Sequence, residues 1–183
     1  MRKSVISSNQ ELSDQLLVLG EVVDLFADKD NDSLNRWDHW LTTTESILKK
    51  YNFTEVSEIS GLRSQLLIED TSRPGTRSKR RLVFAKYLKT ITPAQTVVLH
   101  LQKNLEIKIE KTREIIKQLL IAADQLGYLA TNTGPNLNAS IDSLLHRLGE
   151  HEQLKTLMKN AFSMLGKFDC QRLIAEEITY LDN

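Results

Sequence analysis

Cysteine is almost absent from this sequence, since Cys170 is the only one among 183 residues. The chain therefore cannot form an internal disulfide, and the sequence predicts a protein of the reducing cytoplasm. The first ten residues, MRKSVISSNQ, lack the apolar stretch of a signal peptide, so we expect no secretion signal. No apolar run approaches the ~20 residues that span a bilayer, so we expect no membrane partner.

Glycine and proline are also scarce, with seven and three residues. So few chain breaks favour long helices over a turn-rich β architecture. Hydrophobic residues make up 40% of the chain and charged residues 26%, which is typical of a globular protein. A chain of this length can bury roughly 70% of its unfolded surface without help from disulfides or metals. We predict a single all-α domain over residues 1–183, with candidate joints at 70–79 and 128–136.

Apolar residues recur every three or four positions, which predicts a bundle of seven or eight helices and no strand. The first helix has its predicted apolar face at Leu12, Leu16, Leu19, Val23 and Phe26. In the second helix, we predict Trp37 in the core and Trp40 at the flank, where a large aromatic can anchor an interface. Asp169 is the predicted N-cap of the last helix.

The sequence Thr92-Pro93-Ala94-Gln95 is typical of a helix start, with Thr92 as N-cap and Pro93 at the first helical position. No further glycine or proline occurs before Gly127. This predicts one long central helix at about residues 92–127, roughly 50 Å in length. A separate short helix before it is predicted to face inward with Leu82, Ala85, Leu88 and Ile91.

The long helix is predicted to be the spine of the bundle or a seam with a partner. Its interface positions follow the three-and-four spacing: Val98, Leu101, Leu105, Ile109 and Ile116. If these positions meet a second copy, the chain is a homo-oligomeric adaptor.

Charge is segregated along a chain whose net charge is zero. Residues 1–71 have a net charge of −6, residues 72–117 of +9 and residues 118–183 of −3. Within 72–81, the sequence SRPGTRSKRR contains no acid and is predicted to be an exposed loop. The cations of this basic segment and the helix after it are Arg73, Arg77, Lys79, Arg80, Arg81, Lys86 and Lys89.

Sequence motifs for catalysis, metals and cofactors are missing. The chain has no nucleophile elbow, P-loop or dinucleotide fingerprint. None of its four histidines has the spacing of a zinc protease or a di-iron bundle. Asp28, Asp30 and Asp32 begin like a calcium loop, but Ser33 and His39 occupy the positions that require glycine and glutamate. We predict no catalytic residue, metal or cofactor.

The basic segment supports three interpretations. Phosphates of DNA or RNA are favoured because no acid neutralises residues 72–81 and Pro74-Gly75 is predicted to expose them. No aromatic is interleaved for base stacking, so the predicted binding has no sequence specificity. Binding to an acidic protein is the second interpretation, and a solvated linker between helices is the third. We therefore predict a non-enzymatic accessory subunit of a larger assembly, such as a nucleic-acid-handling ATPase or nuclease complex. A self-associating adaptor is the alternative, and a helical hydrolase or ribonuclease is the least favoured.

Overall fold

The structure, a computed structural model, describes residues 3–30, 32–67, 76–129 and 137–181, without the side chains of residues 76–80, 137–138 and 180–181. In this part of the chain there are seven helices and no strand. They are α1 (Val5–Ala27), α2 (Ser33–Tyr51), α3 (Val56–Leu67), α4 (Thr76–Gln125), α5 (Leu137–Glu150), α6 (Glu152–Met164) and α7 (Lys167–Leu181). The predicted all-α bundle with a long central helix is confirmed.

The chain forms two compact units, and their boundary lies inside α4. The N-terminal unit is Ser7–Asn104, and the C-terminal unit is Met1–Ile6 with Leu105–Asn183. The predicted joints lie elsewhere, and residues 70–75 and 130–136 fall outside the described residues. Among the described helices, none is both long and apolar enough to cross a membrane.

The N-terminal unit is built around stacked indoles on α2. Trp37 and Trp40 lie with ring centroids 4.9 Å apart and planes within 8°. The Trp37 Nε1–H donates to Thr90 Oγ1 on α4 at 3.0 Å, and the Trp40 Nε1–H donates to the Gln15 carbonyl on α1 at 2.7 Å. The prediction that Trp40 lies at the flank is therefore wrong, because its side chain is only 1% exposed and its indole N–H is hydrogen-bonded to α1.

The C-terminal unit packs α5, α6 and α7 together with the second half of α4. Asp169, on the first turn of α7, is buried and accepts hydrogen bonds from Ser4 Oγ and the Val5 N–H, both at 2.6 Å. The carboxylate therefore accepts from N–H groups at the start of α1. The prediction of Asp169 as N-cap of the last helix is wrong, because α7 begins two residues earlier, at Lys167.

α4 begins at Thr76 and passes through Thr92 and Pro93 without a break, so the predicted helix start at Thr92 is wrong. Ile91 and Ala94 are both buried, one on each side of the proline. Burying these residues on one continuous face outweighs the hydrogen bond that Pro93 cannot donate. The predicted end near Gly127 is confirmed.

That C-terminal end of α4 is a Schellman motif. Gly127 has φ +70°, and its N–H donates to the Asp124 carbonyl at 2.8 Å. The Tyr128 N–H donates to the Ala123 carbonyl, also at 2.8 Å. A left-handed residue is required here, which is why a glycine marks this helix end in the sequence.

Candidate interaction surface

The basic segment predicted from the sequence is partly helical. Arg73 lies outside the described residues, and Arg77, Lys79 and Arg80 belong to the first turns of α4. The prediction of a loop is therefore wrong for residues 76–81. α4 includes these residues instead of beginning after them.

Lys86 is held within the N-terminal unit. It is half-buried, and its Nζ donates to the Leu66 carbonyl in the last turn of α3 at 3.2 Å. A cation at this position satisfies a carbonyl that has no partner within the helix and complements the negative end of the helix dipole. Lys86 therefore joins α4 to α3, a role that its place in the sequence did not indicate.

Two other cations lie on an exposed face of α4 together with apolar residues. We define the α4 basic face as Arg81, Leu82, Ala85, Leu88 and Lys89, all exposed. Leu82 is 47% exposed and Leu88 43%. The prediction that Leu82, Ala85 and Leu88 point inward is therefore wrong.

The side chains on the opposite side of α4 explain why these residues face outward. Phe84 packs against Phe26 of α1 with ring centroids 5.2 Å apart. Thr90, buried, accepts the indole N–H of Trp37 and donates to the Tyr87 carbonyl at 2.7 Å. Because aromatic residues bury more surface than leucine, they face the core and turn the leucines outward.

The α4 basic face has no acidic neighbour along the chain. No aspartate or glutamate occurs between Asp70 and Glu106. Among the side chains that the structure describes, no salt bridge involves Arg81 or Lys89. The face thus combines uncompensated positive charge with exposed aliphatic surface.

The five predicted interface positions of the long helix are packed inside the chain. Val98 and Leu101 are buried in the N-terminal unit, and Leu105 and Ile116 are buried in the C-terminal unit. Ile109 is partly buried against the core of the C-terminal unit. The side chains at these five positions therefore take part in packing within their own units.

The second half of α4 carries cations that are compensated by α7. Arg113, 24% exposed, donates from Nη1 to Glu177 at 2.7 Å and from Nη2 to Glu176 at 3.1 Å. The hydrogen bond to Glu177 is the main cause that raises the pKa of the Arg113 guanidinium, with Glu176 adding to it. Lys117 Nζ lies 3.9 Å from the same Glu177. This half of the helix surface stabilises the fold.

Residues considered for metal or acid–base chemistry lie apart from one another. The Asp30 carboxylate accepts the Asp32 N–H at 2.7 Å, and Asp32 pairs with Arg36 at 3.0 Å. His151 Nε2 lies 2.9 Å from the Tyr128 hydroxyl. In the described ranges, no group of three or more His, Cys, Asp or Glu could hold a metal ion.

A second charged surface, on α1, was missed from the sequence. We define the α1 acidic face as Asp14, Leu17, Glu21, Asp24 and Asp28, all exposed. Their spacing of three, four, three and four places the first four on one stripe of α1, with Leu17 73% exposed, and Asp28 follows in the turn directly after the helix. The same three-and-four spacing that identifies buried apolar faces would have found it, had it been applied to acids.

Comparison with known proteins finds no match, whether to a family model, a curated protein or a solved structure. The chain's own residues and contacts must therefore carry any functional assignment. They distinguish two charged surfaces of the N-terminal unit, the α4 basic face and the α1 acidic face, from the charge pairs that hold the helices together.

Proposed function

We propose that this chain is a non-enzymatic interaction subunit whose α4 basic face binds an acidic surface of another protein. The observation that carries the proposal is the exposure of Leu82 and Leu88 between Arg81 and Lys89, in a stretch without any acid. Helices that present both apolar and basic side chains commonly meet an acidic partner, since apolar burial gives affinity and charge gives orientation.

The exposed leucines favour a protein over a nucleic acid, the reverse of the preference drawn from the sequence. Phosphate binding requires cations and hydrogen-bond donors, and aliphatic side chains contribute little to it. Bases of single strands stack on exposed aromatics, but Phe84 and Tyr87 of this segment are half-buried on the other side of α4. An acidic helix with apolar residues of its own would cover both kinds of side chain.

We propose a cytoplasmic location for this subunit. The single cysteine, Cys170, is buried in the C-terminal unit, where it packs as a small apolar residue. The chain thus needs no oxidising compartment for its stability. A subunit that meets its partner in the cytoplasm, without chemistry of its own, fits these features.

A matched pair of charge-and-apolar variants tests the proposal. Leu88→Asp with Lys89→Glu changes the α4 basic face, whereas Ile107→Asp with Lys108→Glu changes an adjacent apolar–cation pair in the other half of α4. Leu88 and Ile107 are 43% and 44% exposed, so the two variants lose apolar side chains that are buried to a similar extent. Wild type and both variants are cross-linked and purified from the native host, and their bound proteins are quantified.

We expect the first variant to lose acidic proteins that wild type and the second variant retain. Equal sets of bound proteins for all three would overturn the proposal. The same three proteins are titrated with duplex and single-stranded oligonucleotides across a range of salt concentrations. If the salt slope falls by about 0.9 for each lost cation on duplex DNA, phosphate is the partner instead.

A further inference from the structure

The α1 acidic face has the chemistry that the α4 basic face requires in a partner. Its four carboxylates flank Leu17 along α1 and the turn after it, as Arg81 and Lys89 flank the apolar residues on α4. The stripe from Asp14 to Asp28 is about 21 Å long at 1.5 Å per residue. The α4 basic face, from Arg81 to Lys89, is roughly 12 Å long, so it is about half as long as the α1 acidic face and complements it in charge.

The N-terminal unit does not neutralise the α1 acidic face with its own described cations. Salt bridges within the unit engage other carboxylates: Asp32 with Arg36, Asp38 and Glu45 with Arg63, Glu45 with Lys49, and Glu11 with Lys50. Among the side chains that the structure describes, none of the four acids of the α1 acidic face forms a salt bridge.

Hydrogen bonding on this face is slight by comparison. Asp14 accepts the Gln10 side-chain amide at 3.0 Å, a contact within the same helix. Each copy of the chain therefore has one acidic face on α1 and one basic face on α4 whose charges form no salt bridge with any side chain that the structure describes. Complementary potentials of this kind attract and orient partners.

We propose that the α1 acidic face of one copy binds the α4 basic face of a second copy. This inference rests on the proposed function and names the partner as the chain itself. The two faces differ, so the contact is heterologous. It either continues from copy to copy or closes into a ring or a reciprocal dimer. The apolar centre of the contact is Leu17 against Leu82 and Leu88.

Two charge-reversal variants test this pairing. The α1 variant, Glu21→Lys with Asp24→Lys and Asp28→Lys, keeps only Asp14 among three lysines and so has two basic faces. The α4 variant, Arg81→Glu with Lys89→Glu, has two acidic faces. A control variant, Lys108→Glu with Lys111→Glu, reverses two exposed cations elsewhere on α4. Sedimentation velocity measures the mass of each protein over a concentration series at low and high NaCl, and circular dichroism verifies that each is folded.

We expect wild type and the control to associate at low salt and to dissociate as NaCl screens the charges. Each charge-reversal variant alone should associate at least about tenfold more weakly, because like charges then oppose each other across the contact. An equimolar mixture of the two should associate again in a 1:1 ratio, since every basic face then meets an acidic one.

Two results would overturn this inference. One is a wild-type chain that stays monomeric throughout the concentration series, and the other is association of both charge-reversal variants at wild-type strength. If the chain is monomeric but the Leu88→Asp, Lys89→Glu variant still loses acidic proteins from the host, the proposed function stands with a different partner. If the chain is monomeric and that variant keeps the same acidic proteins as wild type, both proposals fail together.

Discussion

The two halves of α4 belong to one continuous helix but differ in what surrounds their charges. Arg81–Asn104 contains no acid, and its cation Lys89 is exposed without a described salt bridge. Leu105–Gln125 alternates acids with cations, and Arg113 is fixed by Glu177 of α7. Both halves bury one apolar face. On the outer face, the charges of the second half pair with acids of α7, whereas Arg81 and Lys89 of the first half form no described salt bridge.

Packing should dominate the stability of the first half of α4. Trp37→Ala removes a buried indole and its hydrogen bond to Thr90, so we expect a loss of about 3–5 kcal/mol in unfolding free energy. Chemical denaturation measures this loss. Leu82→Ala, on the exposed side of α4, is the control and should stay within about 0.5 kcal/mol of wild type. A loss below about 1 kcal/mol for Trp37→Ala would contradict the packing of α2 on α4.

Proline in the interior of the first half should cost stability. Pro93→Ala restores a backbone N–H and removes the clash of the ring with the preceding turn, so we expect a gain of about 1–3 kcal/mol. Pro93 is exposed, and the change leaves the core untouched. Gln95→Ala, an exposed position two residues further along α4, should change stability by only a few tenths of a kcal/mol. No gain in the denaturation midpoint would mean that the helix is interrupted here.

Replacing one cation by alanine in each half of α4 compares the two halves directly. Arg113→Ala leaves Glu177, only 12% exposed at its side chain, without its main partner. Allowing for the partial exposure of Arg113, we expect a loss of about 1–2 kcal/mol. Lys89→Ala should cost less than about 0.5 kcal/mol, because that cation stabilises no described carboxylate. Similar losses for the two variants, measured by urea denaturation, would remove the distinction between the halves.

The pH dependence of stability tests whether the charge of Glu45 is compensated in the folded protein. The hydrogen bond from Lys49, with further ones from Ser60 and Arg63, holds the pKa of this carboxyl below its ordinary value of 4.5, while burial acts in the opposite direction. A lowered pKa in the folded state stabilises the protein above the unfolded pKa and ceases to do so as pH falls through the folded pKa. The contribution of Glu45 should therefore be lost on acidification below about pH 4.5.

The measurement is the difference in unfolding free energy between wild type and Glu45→Gln from about pH 6 to about pH 3. We expect this difference to shrink as the pH falls. Ser60→Ala removes one of the donors and should weaken the pH dependence without abolishing it. A difference that stays constant over the whole range would show that these contacts do not favour the ionised carboxylate.

The sequence predicts helices better than it predicts their junctions. Apolar spacing identified the all-α class, and Gly127 identified the end of α4, because a Schellman motif is a local structure with a local residue requirement. The start of α4 was misplaced for the opposite reason. Thr92 and Pro93 form a good local start, but burial of Ile91 and Ala94 against distant residues carries the helix through them.

The candidate site shows the same limit. Composition located the positive charge around Arg81 and Lys89, since the absence of acids is visible along the chain. It could not show that Lys86 binds a carbonyl 20 residues away, or that Arg113 binds a carboxylate 64 residues away. A cation is compensated or not according to its neighbours in the tertiary structure. Only the folded chain therefore distinguishes the compensated cations from the others.

The smallest expected effect is also the sharpest test of whether a helix begins at Thr92. As an N-cap, Thr92 would lose about 1 kcal/mol of stability on replacement by alanine. Within a continuous α4, Thr92 is an exposed interior residue, and alanine has the higher helix propensity. We therefore expect Thr92→Ala to stabilise the protein by a few tenths of a kcal/mol, up to about 0.7. Equilibrium denaturation resolves the sign, and a loss near 1 kcal/mol would restore a helix start at Thr92 and divide α4 in two.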